Sequence, residues 1–115
     1  MRRTWLLCGR VTPLSQPAIT QALQSTAGWR MEGNFNKGAI CHDFEFQNFR
    51  QAMTFMNAVA ADCEAAGHHP SWTNTYNKLH VRLTTHDAGD RVTQKDIDLA
   101  RRMNEVFVKM SSPPQ

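Results

Sequence analysis

The hydrophobic period of this chain switches back and forth between that of a helix and that of a strand, and the order of the switches limits the folds open to it. Ile19, Ala22, Leu23 and Ala27 mark one helical face. Ser15 is placed to cap that helix, Pro17 is tolerated in its first turn, and Gly28 is a natural stop. Trp29 and Met31 then alternate with Arg30 and Glu32. After a polar loop from Asn34 to Gly38, Ile40, His42, Phe44 and Phe46 share one face, while Asp43 and Glu45 point the other way. A period of two is that of a half-buried antiparallel hairpin.

Helical spacing returns from about Asn48 to Ala66, where Phe49, Ala52, Met53, Met56, Val59, Ala60 and Cys63 recur and Gly67 ends the run. Trp72 to Tyr76 reads as a short strand and Lys78 to Thr85 as a longer one, with Leu79, Val81 and Leu83 on its buried face. A tight turn fits at Asn77-Lys78. Thr93 caps a last helix, Asp96 is spaced for a capping-box contact, and Ile97, Ala100, Met103 and Phe107 form its apolar stripe. Helix, two strands, helix, two strands, helix predicts an α+β domain: a four-stranded antiparallel sheet with helices packed on one face. The other face or an edge strand stays open, for which oligomerisation is the usual remedy.

A length of 115 residues suits one domain. Residues 1–13 read as a loose N-terminal extension, 14–110 as the folded domain and 111–115 as a flexible tail. The apolar stretch behind Met1-Arg2-Arg3 is too short for a secretory signal, and a targeting role for it stays open. No run approaches the roughly 20 apolar residues that a membrane span needs. The formal charge of +3 is scattered, without the basic stripe of a nucleic-acid binder, so neither a membrane nor direct nucleic-acid contact is expected. Cys8, Cys41 and Cys63 are odd in number and widely spaced. They read as free thiols in a reducing, cytoplasmic setting rather than as a disulfide framework or a thiolate zinc site.

Five histidines carry the chemistry on offer: His42, His68, His69, His80 and His86. His68 and His69 follow the long helix and His86 follows the long strand, at element ends where catalytic groups tend to sit. His80 and, less firmly, His42 read as surface residues. Three explanations stay open on the spacing: unrelated polar loop residues, a metal site, or general acid–base chemistry by imidazoles with a carboxylate to fix a tautomer. Glu64, in the last turn of the long helix, faces an unfavourable dipole, which suggests a role or simple exposure.

The pattern Glu64-x-x-x-His68-His69-Pro70-x-Trp72-x-Asn74-x-Tyr76-Asn77-x-Leu79, followed by Leu83-Thr84-Thr85-His86-Asp87-Ala88-Gly89 and Asp96, resembles the pterin-4a-carbinolamine dehydratase family. Gly28-Trp29, Phe44-x-Phe46-x-x-Phe49 and Phe55-Met56-Asn57-x-Val59-Ala60 extend the likeness over about Leu14 to Met110. The resemblance implies a four-stranded antiparallel sheet packed against helices, in subunits that form homodimers through sheet edges and often homotetramers through helices. It implies loss of water from a 4a-hydroxytetrahydropterin substrate to give quinonoid dihydropterin, a step in tetrahydrobiopterin recycling that requires no metal or organic cofactor. By position, His68 and His86 would flank the 4a-hydroxyl as acid and base, and His69 would hold the pterin or share the proton transfer. Glu64 would orient a histidine, Pro70 and Trp72 would shape the pocket, and Asp96 would supply a supporting contact. Some animal members stabilise dimers of a transcription factor, a partner carried over by analogy alone. One stretch departs from the family's common Gly-Gly-Leu-Thr: here Gly89-Asp90-Arg91-Val92-Thr93 replaces the second glycine and adds charges.

Overall fold

The computed structural model describes residues 12–111. Cys8, nearly all of the expected extension and the tail past Ser111 lie outside the described residues. The elements are α1 (Gln16–Gln24), β1 (Arg30–Asn34), β2 (Lys37–Glu45), α2 (Phe49–Ala66), β3 (Ser71–Thr75), β4 (Lys78–Leu83), a 3-10 turn (His86–Ala88) and α3 (Gln94–Ser111). The expected order is therefore present. Pro13 is bridged to Thr93, and the Leu14 N–H donates to the Val92 carbonyl at 2.9 Å.

Local chemistry sets the boundaries. Ser15 caps α1 by accepting from the Ala18 N–H at 3.3 Å. The helix stops at Gln24, ahead of the Gly28 that the sequence suggests, because the Ser25 and Thr26 hydroxyls bond back to the Ala22 carbonyl at 3.2 and 2.7 Å. Asn48 caps α2 through the Gln51 N–H, and Gly67 ends it in the left-handed conformation at φ 63°. The Asn34 side chain accepts from the N–H groups of Asn36 and Lys37, which folds the β1–β2 turn more tightly than the loop expected to Gly38. In the β3–β4 turn the left-handed residue is Tyr76, at φ 53°, so this turn falls at Tyr76-Asn77 rather than Asn77-Lys78. β4 closes at Leu83, two residues short of the expected end.

The strands run in the order β1-β2-β4-β3, every pair antiparallel. Ile40, Phe44, Leu79, Val81 and Leu83 face the helices and join Ile19, Phe55, Val59, Ile97 and Met103 in one core. The α2 stripe runs through Ala52, Phe55, Val59 and Cys63, whereas Phe49, expected on it, is exposed. Full burial of a side chain such as Phe55 contributes roughly 1.5–3 kcal/mol. The opposite sheet face carries charge. Arg82 Nε donates to Glu32 at 2.6 Å, while Asp43 meets both Arg30 at 2.9 Å and its cross-strand neighbour His80 at 2.6 Å.

Candidate active site

Three element ends converge. Beyond the αL residue Gly67, the His68 N–H returns to the Cys63 carbonyl at 3.1 Å, which turns the chain sharply and directs His68 inward. Past β4, Thr85 and Arg91 pair in an isolated bridge that closes the loop holding His86. Thr93 then begins α3: its hydroxyl accepts from the Lys95 N–H at 3.3 Å, and its own N–H donates to Asp96 Oδ2 at 2.9 Å. This is the capping box expected from the spacing of Thr93 and Asp96.

Asp96 is completely buried. Its second oxygen, Oδ1, lies 2.6 Å from Nε2 of His68, itself 8% exposed. Oδ2 also accepts from the Thr85 hydroxyl at 2.8 Å, and the Thr85 and Thr93 hydroxyls meet at 2.7 Å. A buried carboxylate with donors on both oxygens fixes the rotation of the ring it touches. The network thus ties the end of α2, the end of β4 and the start of α3 together, and His86 is the chain neighbour of Thr85.

The other residues singled out from the sequence are less enclosed. His69 is exposed, with Nε2 3.5 Å from Glu64 Oε2, and the Glu64 side chain is 81% exposed. The histidine beside Glu64, which was expected to orient one, is thus His69, while the carboxylate bonded to His68 is Asp96. The His86 side chain is 92% exposed, and its Nδ1 stands 3.1 Å from Asp90 Oδ1. Asp90 is held at φ 60°, and its carbonyl accepts from the Gly38 N–H at 2.9 Å. The altered loop is therefore stapled to the β1–β2 hairpin, and Arg91 Nε reinforces it by donating to the Asn36 carbonyl. Pro70 and Trp72 are half-buried, and Trp72 leans on the core from β3.

One of the two histidines read as surface residues departs from that role. His42 is half-buried, stacked on Phe44 at a centroid distance of 3.9 Å and edge-on to Trp29 at 5.3 Å. Burial pushes its pKa below the usual imidazole value, and among the described residues its buried Nδ1 has no hydrogen-bond partner. His80 lies on the charged outer face with Arg82, as expected of a surface residue, its side chain 41% exposed, and it is bonded to Asp43, whose carboxyl it holds below the ordinary range together with Arg30. Burial pushes the Cys41 and Cys63 thiols up, away from the reactive thiolate. Thr85 is the participant that sequence reasoning passed over, since nothing in its spacing pointed to Asp96.

A concavity of about 370 Å³ opens on the charged sheet face between Asp43, Glu45, Thr73, Thr75, Lys78 and His80, away from the histidine network. Among the described residues no three His, Cys, Asp or Glu side chains gather as metal ligands would, and no helix is long and apolar enough to cross a membrane.

Comparison with known proteins gives a consistent result. The family described as Pterin 4 alpha carbinolamine dehydratase matches residues 12–106. A protein of Opitutus terrae named "Putative pterin-4-alpha-carbinolamine dehydratase" is 44% identical over 83% of this chain and 94% of its own length. One of Rhodopseudomonas palustris with the same name is 53% identical over 75% of this chain and 82% of its own. Among solved structures, a "transcriptional coactivator/pterin dehydratase" from Brucella melitensis superposes with a TM-score of 0.77 at 36% identity, covering 83% of this chain and 98% of that one. A pterin dehydratase-like RuBisCO assembly factor of the alpha-carboxysome shares the fold at 22% identity, with a TM-score of 0.58 over 75% of this chain and 93% of its own.

Proposed function

The chain belongs to the Pterin 4 alpha carbinolamine dehydratase family, and from that premise we propose that it dehydrates a 4a-hydroxytetrahydropterin to the quinonoid dihydropterin, with imidazoles moving the protons. The observation that carries the reading is the buried His68–Asp96 pair, bonded through Thr85 to the segment that bears His86. Hydroxide is a poor leaving group. Departure of the 4a-oxygen is fast only when a proton reaches it as the C–O bond breaks, and a ring nitrogen must give up a proton to complete the quinonoid system. Oxygen and two hydrogens leave as water, and no electron acceptor is needed. One imidazole donates while another accepts, a division of labour suited to groups that titrate near neutrality.

His68 and His86 take these roles, with His69 and Glu64 at the rim holding the pterin and Pro70 and Trp72 shaping its seat. The setting is cytoplasmic recycling of tetrahydrobiopterin. Dimers or tetramers of the chain cover the sheet edges that a single copy leaves unpaired at β1 and β3. The test is the rate of quinonoid dihydropterin formation by the purified protein, beside His68→Ala and His86→Ala. Each substitution should lower kcat by roughly 10²–10⁴. Wild-type protein that adds nothing to the spontaneous rate would overturn the reading.

A further inference from the structure

The bonds around Asp96 run in one direction. The Lys95 N–H can only donate, and it donates to the Thr93 hydroxyl oxygen. The Thr85 hydroxyl has one proton, which it gives to Asp96 Oδ2. At the 2.7 Å contact between the two hydroxyls the proton must then come from Thr93. An ionised carboxylate only accepts, so Oδ1 at 2.6 Å requires a proton on Nε2 of His68. Every member of this chain from Thr93 to His68 is at least nine-tenths buried, which keeps water from substituting for any of them.

We propose that Thr85 is a positioning residue: its hydroxyl orients Asp96 so that His68 is held as the Nε2–H tautomer, leaving Nδ1 as the nitrogen that accepts a proton from substrate. This assigns His68 the base role in the dehydration and leaves the exposed His86 to donate. The activity half of the argument rests on the dehydratase reading; the tautomer half does not. Without the hydroxyl, Asp96 Oδ2 keeps only the Thr93 N–H and the Thr93 hydroxyl loses its acceptor, so the carboxylate is held less firmly in the plane that meets His68.

The experiment compares wild type, Thr85→Val and Thr85→Ser. Valine keeps the branched shape in a buried position and removes the hydroxyl, whereas serine restores it. Long-range proton–nitrogen correlation spectra of nitrogen-15-labelled protein at about pH 8, above the ordinary imidazole value of about 6.5, read the tautomer of His68 directly. Wild type and Thr85→Ser should show the proton on Nε2, and Thr85→Val a mixture of tautomers. In the dehydration assay Thr85→Val should lose roughly tenfold in kcat with KM within about twofold, a part of the roughly 10²–10⁴ available to acid–base catalysis, and Thr85→Ser should recover most of it. A wild-type His68 protonated on Nδ1 overturns the proposal, even if Thr85→Val does not fold. So does a folded Thr85→Val with a single Nε2–H tautomer, whatever its kcat, or one whose kcat equals that of an active wild type. If wild type has no dehydratase activity, that reading falls, and the spectra alone decide the role of Thr85.

Discussion

His68 and Asp96 are separated by 28 residues of sequence and joined by a 2.6 Å contact that is almost wholly withdrawn from water. Charge-assisted contacts of this length are among the stronger hydrogen bonds in proteins. Both oxygens of the carboxylate are engaged, so it has little freedom to choose another partner.

Asp96→Asn tests that economy. An amide has one acceptor oxygen where the carboxylate has two, so an NH₂ group must face either the His68 N–H or the donors from Thr85 and Thr93. A buried donor set against a donor costs about 1–3 kcal/mol. The denaturant midpoint should fall with an unchanged m-value, and kcat should drop on the order of 10²-fold. Wild-type stability and rate together would show that the carboxylate charge has no part in the site.

His42 makes stability depend on pH. Burial lowers its folded pKa. The neutral folded ring therefore contributes its full stability above the unfolded value of about 6.5 and loses it progressively as pH falls from there through the lowered folded pKa. His42→Phe keeps an aromatic ring on Phe44 and cannot titrate. Its Tm should fall less than that of wild type between about pH 6.5 and pH 5. Asp43 acts in a more acidic window, because its depressed pKa contributes stability that is lost only as pH falls below about 3.8. Parallel curves for wild type and His42→Phe would remove His42 from the account.

Gly28 lies against the same ring. Its φ of 85° is unfavourable to any side chain, and an added Cβ would sit 2.2 Å from His42 Nε2. Gly28→Ala should lose about 1–3 kcal/mol from backbone strain, with a further cost from moving the imidazole. In a His42→Ala background only the backbone part should remain. Equal losses in both backgrounds, measured by urea unfolding, would show that the ring yields without cost.

The charged loop should matter less than its novelty suggests. The Asp90–His86 pair is on the surface, and such pairs contribute about 0–1 kcal/mol. Asparagine tolerates the left-handed backbone that Asp90 adopts. Asp90→Asn should therefore stay within about 1 kcal/mol of wild type, with kcat within about threefold, far short of the roughly 10²-fold that loss of an acid–base group brings. A loss of that larger size would make Asp90 a partner in the chemistry of His86.

The element order, the capping residues Ser15 and Thr93, and the stop at Gly67 were legible because each depends on a few neighbouring residues. The contact between Asp96 and His68 was only half legible. Its capping-box oxygen follows from local spacing, but the target of the other oxygen is set by how α2 and α3 pack. Thr85 was missed for the same reason, being the last residue of an apparent strand run. His42 was misjudged because a polar residue on an apolar face gives no sign of whether its neighbours will close over it. The slide of the α2 stripe to Phe55, away from Phe49, reflects an orientation decided by the sheet below rather than by helical period alone.

Because one carboxylate both starts α3 and grips His68, the start of the helix and the setting of that ring share a single event. A chain whose last helix has not yet begun leaves that imidazole without its carboxylate partner. The same economy closes a route to adaptation: a substitution that retunes His68 through Asp96 also weakens the start of the helix that carries it.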